Sequence, residues 1–333
     1  MNTTVRRILL LLAALLLAVC FVLPAFAEEE ADISQDDLST LLGDDVEEIA
    51  VGQELVSIPL PIDLSGGSVP LENGYLSDTV YEDPTIRVEI TFKDISHLQP
   101  YKGRNAGLWV VDIQIGDASQ FRTAAAESFV TKTAMPAEDI ADAVNAVVAF
   151  NADFVARQSE GFILKQGVLY EDKDHLKGKQ DVLLVDENGD FHPVHLPKKG
   201  ELSDTVDGKK VLNAFCFGPI LVEDGELCTG WKDFGYLKPD ELYARLALCQ
   251  VGPLHYKVLL TTHLQSYTTG IKLQDFAQLC KDEGAITAYN LDGGESTTLY
   301  FRGERLNSQH KVNPRPMPDI MYFASSWNGG EDE

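Results

Sequence analysis

Apolar and polar positions alternate strictly where the folded part of the chain begins. Residues 86–92 read Ile-Arg-Val-Glu-Ile-Thr-Phe, and a second β-rich run follows at 108–115. A period of two predicts strands with one buried face. Turn sequences at 187–190, 223–226 and 302–305 each stand between β-rich runs and predict three hairpins.

Two segments show helical spacing instead. The first is Met135–Val144, with Pro136 in its first turn. The second is Leu273–Asp282, which carries four apolar residues on one face and stops before Gly284, a suitable residue for a helix C-terminus. Strands outnumber helices and do not alternate with them regularly. The pattern therefore predicts an α+β domain, built on a strand-rich mixed sheet with a few helices.

The N-terminal 27 residues have the pattern of a secretory signal peptide. Arg6 and Arg7 precede an apolar run at 8–23, and the small-x-small triplet Ala25-Phe26-Ala27 comes just before Glu28. We expect cleavage there and a secreted or extracytoplasmic protein. The alternative is an uncleaved membrane anchor, because the run is near the short end of spanning length.

Charge divides the remaining chain. The formal net charge is -25, and sixteen acidic residues fall in 28–86, where no Lys or Arg occurs. We predict an acidic linker or poorly ordered segment at 28–84, one folded domain at 85–325 and an acidic tail at 326–333. So acidic a chain without a basic patch is a poor partner for nucleic acid and for anionic membranes, and stable membrane insertion is not expected after signal cleavage.

Four cysteines, Cys216, Cys228, Cys249 and Cys280, remain after export. They allow two disulfides in any of three pairings, and buried free thiols are the alternative, so no pairing is assigned. His192 and His195 flank Pro193 without an evident third ligand and are interpreted as loop histidines rather than zinc ligands. No cofactor or metal is expected. The oligomeric state is left open.

The stretch most informative about chemistry is 290–298, Asn-Leu-Asp-Gly-Gly-Glu-Ser-Thr-Thr, which follows the second predicted helix and a short apolar strand. Other motifs precede and follow it: Phe-Asn-Ala-Asp-Phe at 150–154, a Gly-apolar-Lys-x-Gly hairpin at 161–167, Phe-Gly-Pro at 217–219, Ala-Arg-Leu-Ala-Leu at 244–248 and Arg-Pro-Met-Pro-Asp-Ile at 315–320. In this order the motifs resemble the phosphodiester glycosidase family, over about residues 105–325. Glu295 stands where that family usually has a third Gly.

The resemblance implies a secreted hydrolase that cleaves the glycosidic bond of sugar-phosphodiester linkages, releasing the sugar and leaving phosphate on the aglycone. Envelope or extracellular glycopolymers, including exopolysaccharides, are the expected substrates. The alternative is a noncatalytic glycan-binding or exopolysaccharide-biosynthesis accessory protein on the same fold. A productive enzyme should bring Arg245, the Asp292 turn and Asp153 around one anionic pocket.

An oxocarbenium-like transition state needs a nearby carboxylate, and Asp292 and Asp153 are the catalytic candidates because each follows a β run. In isolation, either could be an ordinary turn residue. An anionic substrate needs donors, which Gly-rich backbone, hydroxyls and a guanidinium fork can supply. The predicted substrate-binding residues are Asn151, Arg245, Gly293, Gly294, Glu295, Ser296 and Thr297.

Overall fold

The computed structural model of the chain describes residues 54–61, 71–99, 106–154, 161–172, 180–198, 200–231, 237–262, 270–307 and 315–329. The predicted signal peptide and residues 28–53 of the predicted linker lie outside them. Within these ranges the helices are α1 (Ala137–Ala143) and α2 (Leu273–Asp282). The strands are β1 (Tyr75–Leu76), β2 (Val80–Asp83), β3 (Ile86–Asp94), β4 (Gly107–Ile115), β5 (Phe121–Ala125), β6 (Val148–Asn151), β7 (Phe162–Lys165), β8 (Val168–Asp172), β9 (Val182–Asp186), β10 (Phe191–Val194), β11 (Thr205–Val206), β12 (Lys209–Phe215), β13 (Ile220–Glu223), β14 (Glu226–Leu227), β15 (Leu246–Gly252), β16 (His255–Thr262), β17 (Thr287–Leu291), β18 (Leu299–Phe301), β19 (Glu304–Arg305) and β20 (Asp319–Phe323).

Most strands belong to two large antiparallel sheets. The first has nine strands in the order β1-β2-β3-β4-β16-β15-β17-β13-β14, and the second has five in the order β19-β18-β6-β20-β5. A four-stranded sheet, β10-β9-β12-β11, and the hairpin β7-β8 complete the strand pairing described. The predicted alternating runs became β3 and β4, which pair from Ile86 with Ile115 to Asp94 with Gly107.

The main core lies between the nine-stranded and five-stranded sheets. Val88 of β3, Leu248 of β15 and Tyr289 of β17 belong to it, together with Phe150 of β6 and Met321 of β20. The outer face of the nine-stranded sheet packs against α2, and the outer face of the five-stranded sheet packs against α1. The layers are therefore helix, sheet, sheet and helix. This α+β architecture, rich in strands, confirms the predicted fold class.

Helix α2 has the bounds that the sequence predicts, because its apolar face of Leu273, Phe276, Ala277 and Cys280 is buried. Helix α1 is shorter than predicted by two residues at the start and one at the end, with Pro136 as the residue before its first turn. All three predicted hairpins are present, as β9-β10, β13-β14 and β18-β19. No helix in the described part of the chain is long and apolar enough to cross a membrane.

The ordered domain begins before residue 85, so the predicted linker boundary is too late. Strand β2 pairs with β3, and Tyr81 in β2 is fully buried. The Asp83 carboxylate accepts hydrogen bonds from the Tyr81 hydroxyl at 2.9 Å and the Thr85 backbone N–H at 2.7 Å. Further upstream, Val56 N–H donates to the Pro84 carbonyl. The acidic composition suggested a solvated segment, but some of its acids hold the chain in place.

The first residues of the predicted acidic tail also belong to the domain. Ser326 is buried and its N–H donates to the Thr85 hydroxyl at 3.2 Å. The Trp327 carbonyl accepts from Asn73 at 3.3 Å. Both ends of the domain therefore meet beside β3. Residues 330–333 lie outside the described residues.

All four remaining cysteines are free thiols. Of the two alternatives, disulfides or free thiols, the structure therefore has free thiols. Cys216, Cys249 and Cys280 are buried, and burial raises the pKa of the Cys216 thiol to about 12. Of the two histidines interpreted as loop residues, His192 lies in strand β10 instead. Its Nε2 is 3.0 Å from Oδ2 of Asp186, so a carboxylate in the same hairpin explains its position.

Candidate active site

A cavity of about 390 Å³ opens where β15 begins and β17 ends, beyond the ends of these two inner strands of the nine-stranded sheet. These two strands pair antiparallel, with Leu246 opposite Leu291. Arg245 and Asp292, the next residues beyond that pair, therefore arrive at the same place. The cavity is lined by three segments and two separate residues: Leu237–Lys238, Tyr243–Arg245 and Asn290–Glu295, with Phe217 and Arg315.

The turn that carries Asp292 is held tightly against the neighbouring chain. A Cβ atom on Gly293 would lie 2.4 Å from the Ala244 carbonyl oxygen, so only glycine fits there. Gly294 has a φ of +61° and donates its N–H to the same carbonyl at 2.8 Å. Residues Gly294–Ser296 then form a 3₁₀ turn. The two glycines thus fix the position of Asp292.

Asn151 secures this turn from the other sheet. Its side-chain amide donates to the Asp292 carbonyl at 2.7 Å, and its Oδ1 accepts the Thr298 N–H at 3.0 Å. Asn151 is itself buried and does not line the cavity. The structure therefore places this predicted substrate-binding residue behind the turn, as a clamp between β6 and the segment after β17.

Asp292 is half-buried on the cavity wall. Burial raises the pKa of its carboxyl, while the Ser296 hydroxyl, the positive charge of Arg315 and the Gly293 backbone N–H oppose that rise. The ionised form of this carboxyl is therefore only partly compensated by its partners. This is the environment of a reacting group rather than of a residue in a closed ion pair.

Several backbone N–H groups of this turn, which was predicted to supply donors to an anion, are already used within the protein. The N–H groups of Gly294, Ser296 and Thr298 each donate to an acceptor within the protein. Ser296 and Thr297 are fully buried and do not line the cavity. The residues after Asp292 that do line it are Gly293, Gly294 and Glu295, of which Glu295 is exposed.

Arg245 lines the cavity, but its guanidinium is engaged by backbone carbonyls. Nε donates to Ile271 at 3.4 Å, Nη1 to Leu237 at 3.3 Å, and Nη2 to Lys238 and Glu241, both at 3.1 Å. Burial lowers the pKa of this arginine to about 10. The bidentate fork expected to grip phosphate therefore holds loop carbonyls instead.

Arg315 is the cavity cation that the sequence reasoning missed. It is exposed, its guanidinium lies 4.6 Å from the centre of the Phe154 ring, and Nη1 is 3.5 Å from the Ser296 hydroxyl oxygen. The available signal was its position between two prolines, Pro314 and Pro316, which restrict the backbone on either side. Lys238 is a second exposed cation on the cavity wall.

Asp153, the second predicted catalytic carboxylate, lies away from the cavity lining. It is fully buried, and Oδ1 accepts from the Lys165 ammonium at 3.1 Å. Oδ2 accepts the Cys216 N–H at 2.8 Å. The structure thus does not bring Asp153, Arg245 and Asp292 around one pocket with free functional groups.

One known protein family matches more than half of the chain. The sequence profile described as phosphodiester glycosidase matches residues 144–324. A SPbeta prophage-derived uncharacterized protein of Bacillus subtilis (strain 168), YomE, is 28% identical over 186 residues. That match covers 54% of this chain and 28% of the Bacillus protein, so the chain spans little more than a quarter of its relative's length.

Among solved structures, the chain is similar to the catalytic domain of zebrafish N-acetylglucosamine-1-phosphodiester alpha-N-acetylglucosaminidase, auto-inhibited by its pro-peptide. The TM-score is 0.58 at 15% identity, and the superposition covers 78% of this chain and 87% of the zebrafish domain. At this identity the likeness shows a shared fold.

Proposed function

Because this chain belongs to the phosphodiester glycosidase family, we propose that it hydrolyses sugar-phosphodiester linkages at the bond between the anomeric carbon and the phosphate oxygen. The observation that carries the proposal is the half-buried Asp292 carboxyl, with its raised pKa, on the wall of a cavity that also presents Arg315 and Lys238. A negative charge beside cations suits a reaction that develops positive charge on a sugar and leaves an anion behind.

In this mechanism the anomeric carbon–oxygen bond breaks and its electron pair stays on the phosphate oxygen. The phosphate remains on the aglycone as a monoester, and water supplies the hydroxyl group of the released sugar. Ionised Asp292 stabilises the oxocarbenium-like transition state, either by attacking the carbon or by accepting a proton from water. Arg315 and Lys238 offset the charge of the departing phosphate. Since phosphate is a good leaving group, a strong general acid is not required.

The biological setting is proposed from the sequence. The signal-peptide pattern and the net charge of -25 favour a secreted or extracytoplasmic protein acting on envelope or extracellular glycopolymers, and they disfavour nucleic acid as a partner. The alternative of a noncatalytic glycan-binding or exopolysaccharide accessory protein has one observation in its favour. The Arg245 fork and several turn N–H groups are occupied within the protein, which leaves fewer donors for a phosphate.

The test is incubation of the mature protein with a panel of sugar-1-phosphodiesters in ¹⁸O-labelled water. We expect free sugar and a phosphate monoester without label in its phosphate, because the bond cut is carbon–oxygen. Label in the phosphate would show phosphorus–oxygen cleavage and contradict the proposed bond. Binding of the diesters without any release would favour the accessory-protein alternative.

A further inference from the structure

A second cavity, of about 510 Å³, lies beside the first. It is formed by Leu98 and by residues from three segments, Leu227–Trp231, Pro239–Leu242 and Lys272–Asp275 at the start of α2. Its volume is in the range of about 300–1,000 Å³ that is typical of ligand sites. The residues assigned to the reaction, Asp292 and Arg315, do not line it.

The two cavities share a wall. Leu237 and Lys238 line the first cavity, the next residues, Pro239 and Asp240, line the second, and Tyr243 lines the first again. A ligand long enough to occupy both would therefore cross this short segment.

The shared wall is fixed at several points. Arg245 donates to the carbonyls of Leu237, Lys238 and Glu241. From the other side, the Leu273 N–H at the start of α2 donates to the Pro239 carbonyl at 3.0 Å. Arg245 is thus a positioning residue whose buried fork determines how the two cavities are separated. This role accounts for an arginine that is in the cavity lining but has its donors occupied.

The chemistry of the second cavity suits a sugar. Trp231 is only 8% exposed and packs in the apolar core between the nine-stranded sheet and α2, with its indole N–H donating to the Ile220 carbonyl at 3.1 Å. It gives the cavity an apolar floor, as is common in ligand sites. Around it, Thr229, Asp240 and Gln274 are exposed and offer donors and acceptors for hydroxyl groups.

Charge narrows the class of ligand. Asp240 and Asp275 face one cation in the lining, Lys272, so the second cavity carries a net negative charge. An anionic group would be repelled there. The first cavity has the opposite balance, with three cations, Lys238, Arg245 and Arg315, against two acids, Asp292 and Glu295. The phosphate and the uncharged part of a substrate are therefore separated between the two cavities.

We infer that the second cavity binds an uncharged sugar unit of the substrate, one other than the sugar released at Asp292. This assignment rests on the proposed function only in joining both cavities to one substrate; glycan binding at the second cavity is independent of hydrolysis. Substrates with a glycan aglycone then bind more tightly than those with a small alkyl aglycone.

The experiment is calorimetric titration of the full mature chain with three neutral trisaccharides, maltotriose, cellotriose and N,N′,N″-triacetylchitotriose. At least one should bind. The double variant Asp240→Ala, Gln274→Ala should weaken it by about tenfold or more, the effect of removing two hydrogen-bonding groups. Both residues are exposed, so the fold should be preserved. Gln278→Ala is the matched control, because Gln278 is also exposed on α2 and bonds to Asp282 outside the cavity lining.

Two results would overturn the inference: no trisaccharide binds at millimolar concentration, or the double variant binds as tightly as the wild-type protein. Either result leaves hydrolysis of simple sugar-1-phosphodiesters untouched. Conversely, trisaccharide binding that the double variant loses, in a protein that hydrolyses no phosphodiester, would overturn the proposed function and retain the second cavity as a glycan site.

Discussion

The tripeptide pattern Asn-x-Asp overlaps the ends of two strands, β6 and β17, and these two copies have opposite environments. After β6, Asp153 is fully buried and paired with Lys165. After β17, Asp292 is half-buried on a cavity wall, and the cation that acts on it, Arg315, is exposed. The same local pattern therefore produces a structural ion pair in one place and a candidate reacting group in the other.

The difference shows that the partner, and not the motif, decides what an aspartate can do. Both oxygens of Asp153 accept hydrogen bonds from groups within the core, at 3.1 and 2.8 Å. An ion pair of this kind is costly to break, because removing one member leaves the other charged and buried. At Asp292, burial raises the pKa of the carboxyl despite its hydrogen bonds, so burial outweighs the groups that stabilise the ionised form.

The change expected to have the largest effect is Asp292→Asn. It keeps the shape of the side chain and removes its charge, so kcat for sugar-1-phosphodiesters should fall by about a thousandfold. Because the folded-state pKa of Asp292 is raised, its ionisation costs stability at pH values above that pKa. The variant should therefore be at least as stable as wild type at pH 7 in thermal unfolding. Turnover within tenfold of wild type would show that Asp292 is not the reacting carboxylate.

The next largest effect is expected at the other aspartate. Lys165→Met leaves Asp153 buried without its cation and should lower the free energy of unfolding by roughly 3 kcal/mol. Urea titration followed by tryptophan fluorescence measures it. The double variant Asp153→Asn, Lys165→Met removes both charges and should recover part of the loss. Turnover per folded molecule should stay near the wild-type value in both variants. If a well-folded double variant has no turnover, Asp153 is a catalytic residue after all.

A smaller effect is expected at Asn151, which joins the two tripeptides. Asn151→Asp replaces the amide that donates to the Asp292 carbonyl with an acceptor. Stability should fall by about 1–2 kcal/mol, and kcat should fall about tenfold as the turn shifts. Asn188→Asp is the matched control, since Asn188 is exposed in a hairpin turn. Equal effects of the two substitutions would mean that added negative charge, and not the lost clamp, is responsible.

The smallest effect concerns pH. The Ser296 hydroxyl lowers the pKa of Asp292, so Ser296→Ala should raise that pKa further. If ionised Asp292 is required, the acid limb of kcat/KM moves to higher pH, with little change in the plateau. Arg315→Gln should move the limb in the same direction, because it removes a positive charge, and should also raise KM. If the acid limb of kcat/KM keeps its position in both variants, a group other than Asp292 determines the pH dependence.

Periodicity along the chain was enough to predict the elements that pack by simple amphipathic patterns. Helix α2 and the three hairpins follow from their own residues, as does the run that became β3. The N-terminal boundary of the domain could not be predicted in this way, because Tyr81 and Asp83 lie in an acidic segment. Their burial depends on contacts with Thr85 and Ser325, which composition does not show.

The candidate site was predictable only in part. The turn at 291–294 is local, and the structure places Asp292 at the cavity, while its catalytic role stays a prediction. The role of Arg245 depends on carbonyls as far apart in sequence as Leu237 and Ile271, so its residue type alone suggested a phosphate ligand. A guanidinium has the same donors for either acceptor, and only the fold determines which one it meets.

The pairing of Leu246 with Leu291 also limits how this site can change in evolution. Successive side chains of a strand point to opposite faces, so a one-residue insertion within β15 or β17 would exchange the buried and outward faces of every residue beyond it. Insertions and deletions should accumulate instead in hairpin turns such as 187–190, where added length leaves the register intact. Relatives of very different total length can for this reason keep the same distance in space between Arg245, which holds the wall between the two cavities, and Asp292.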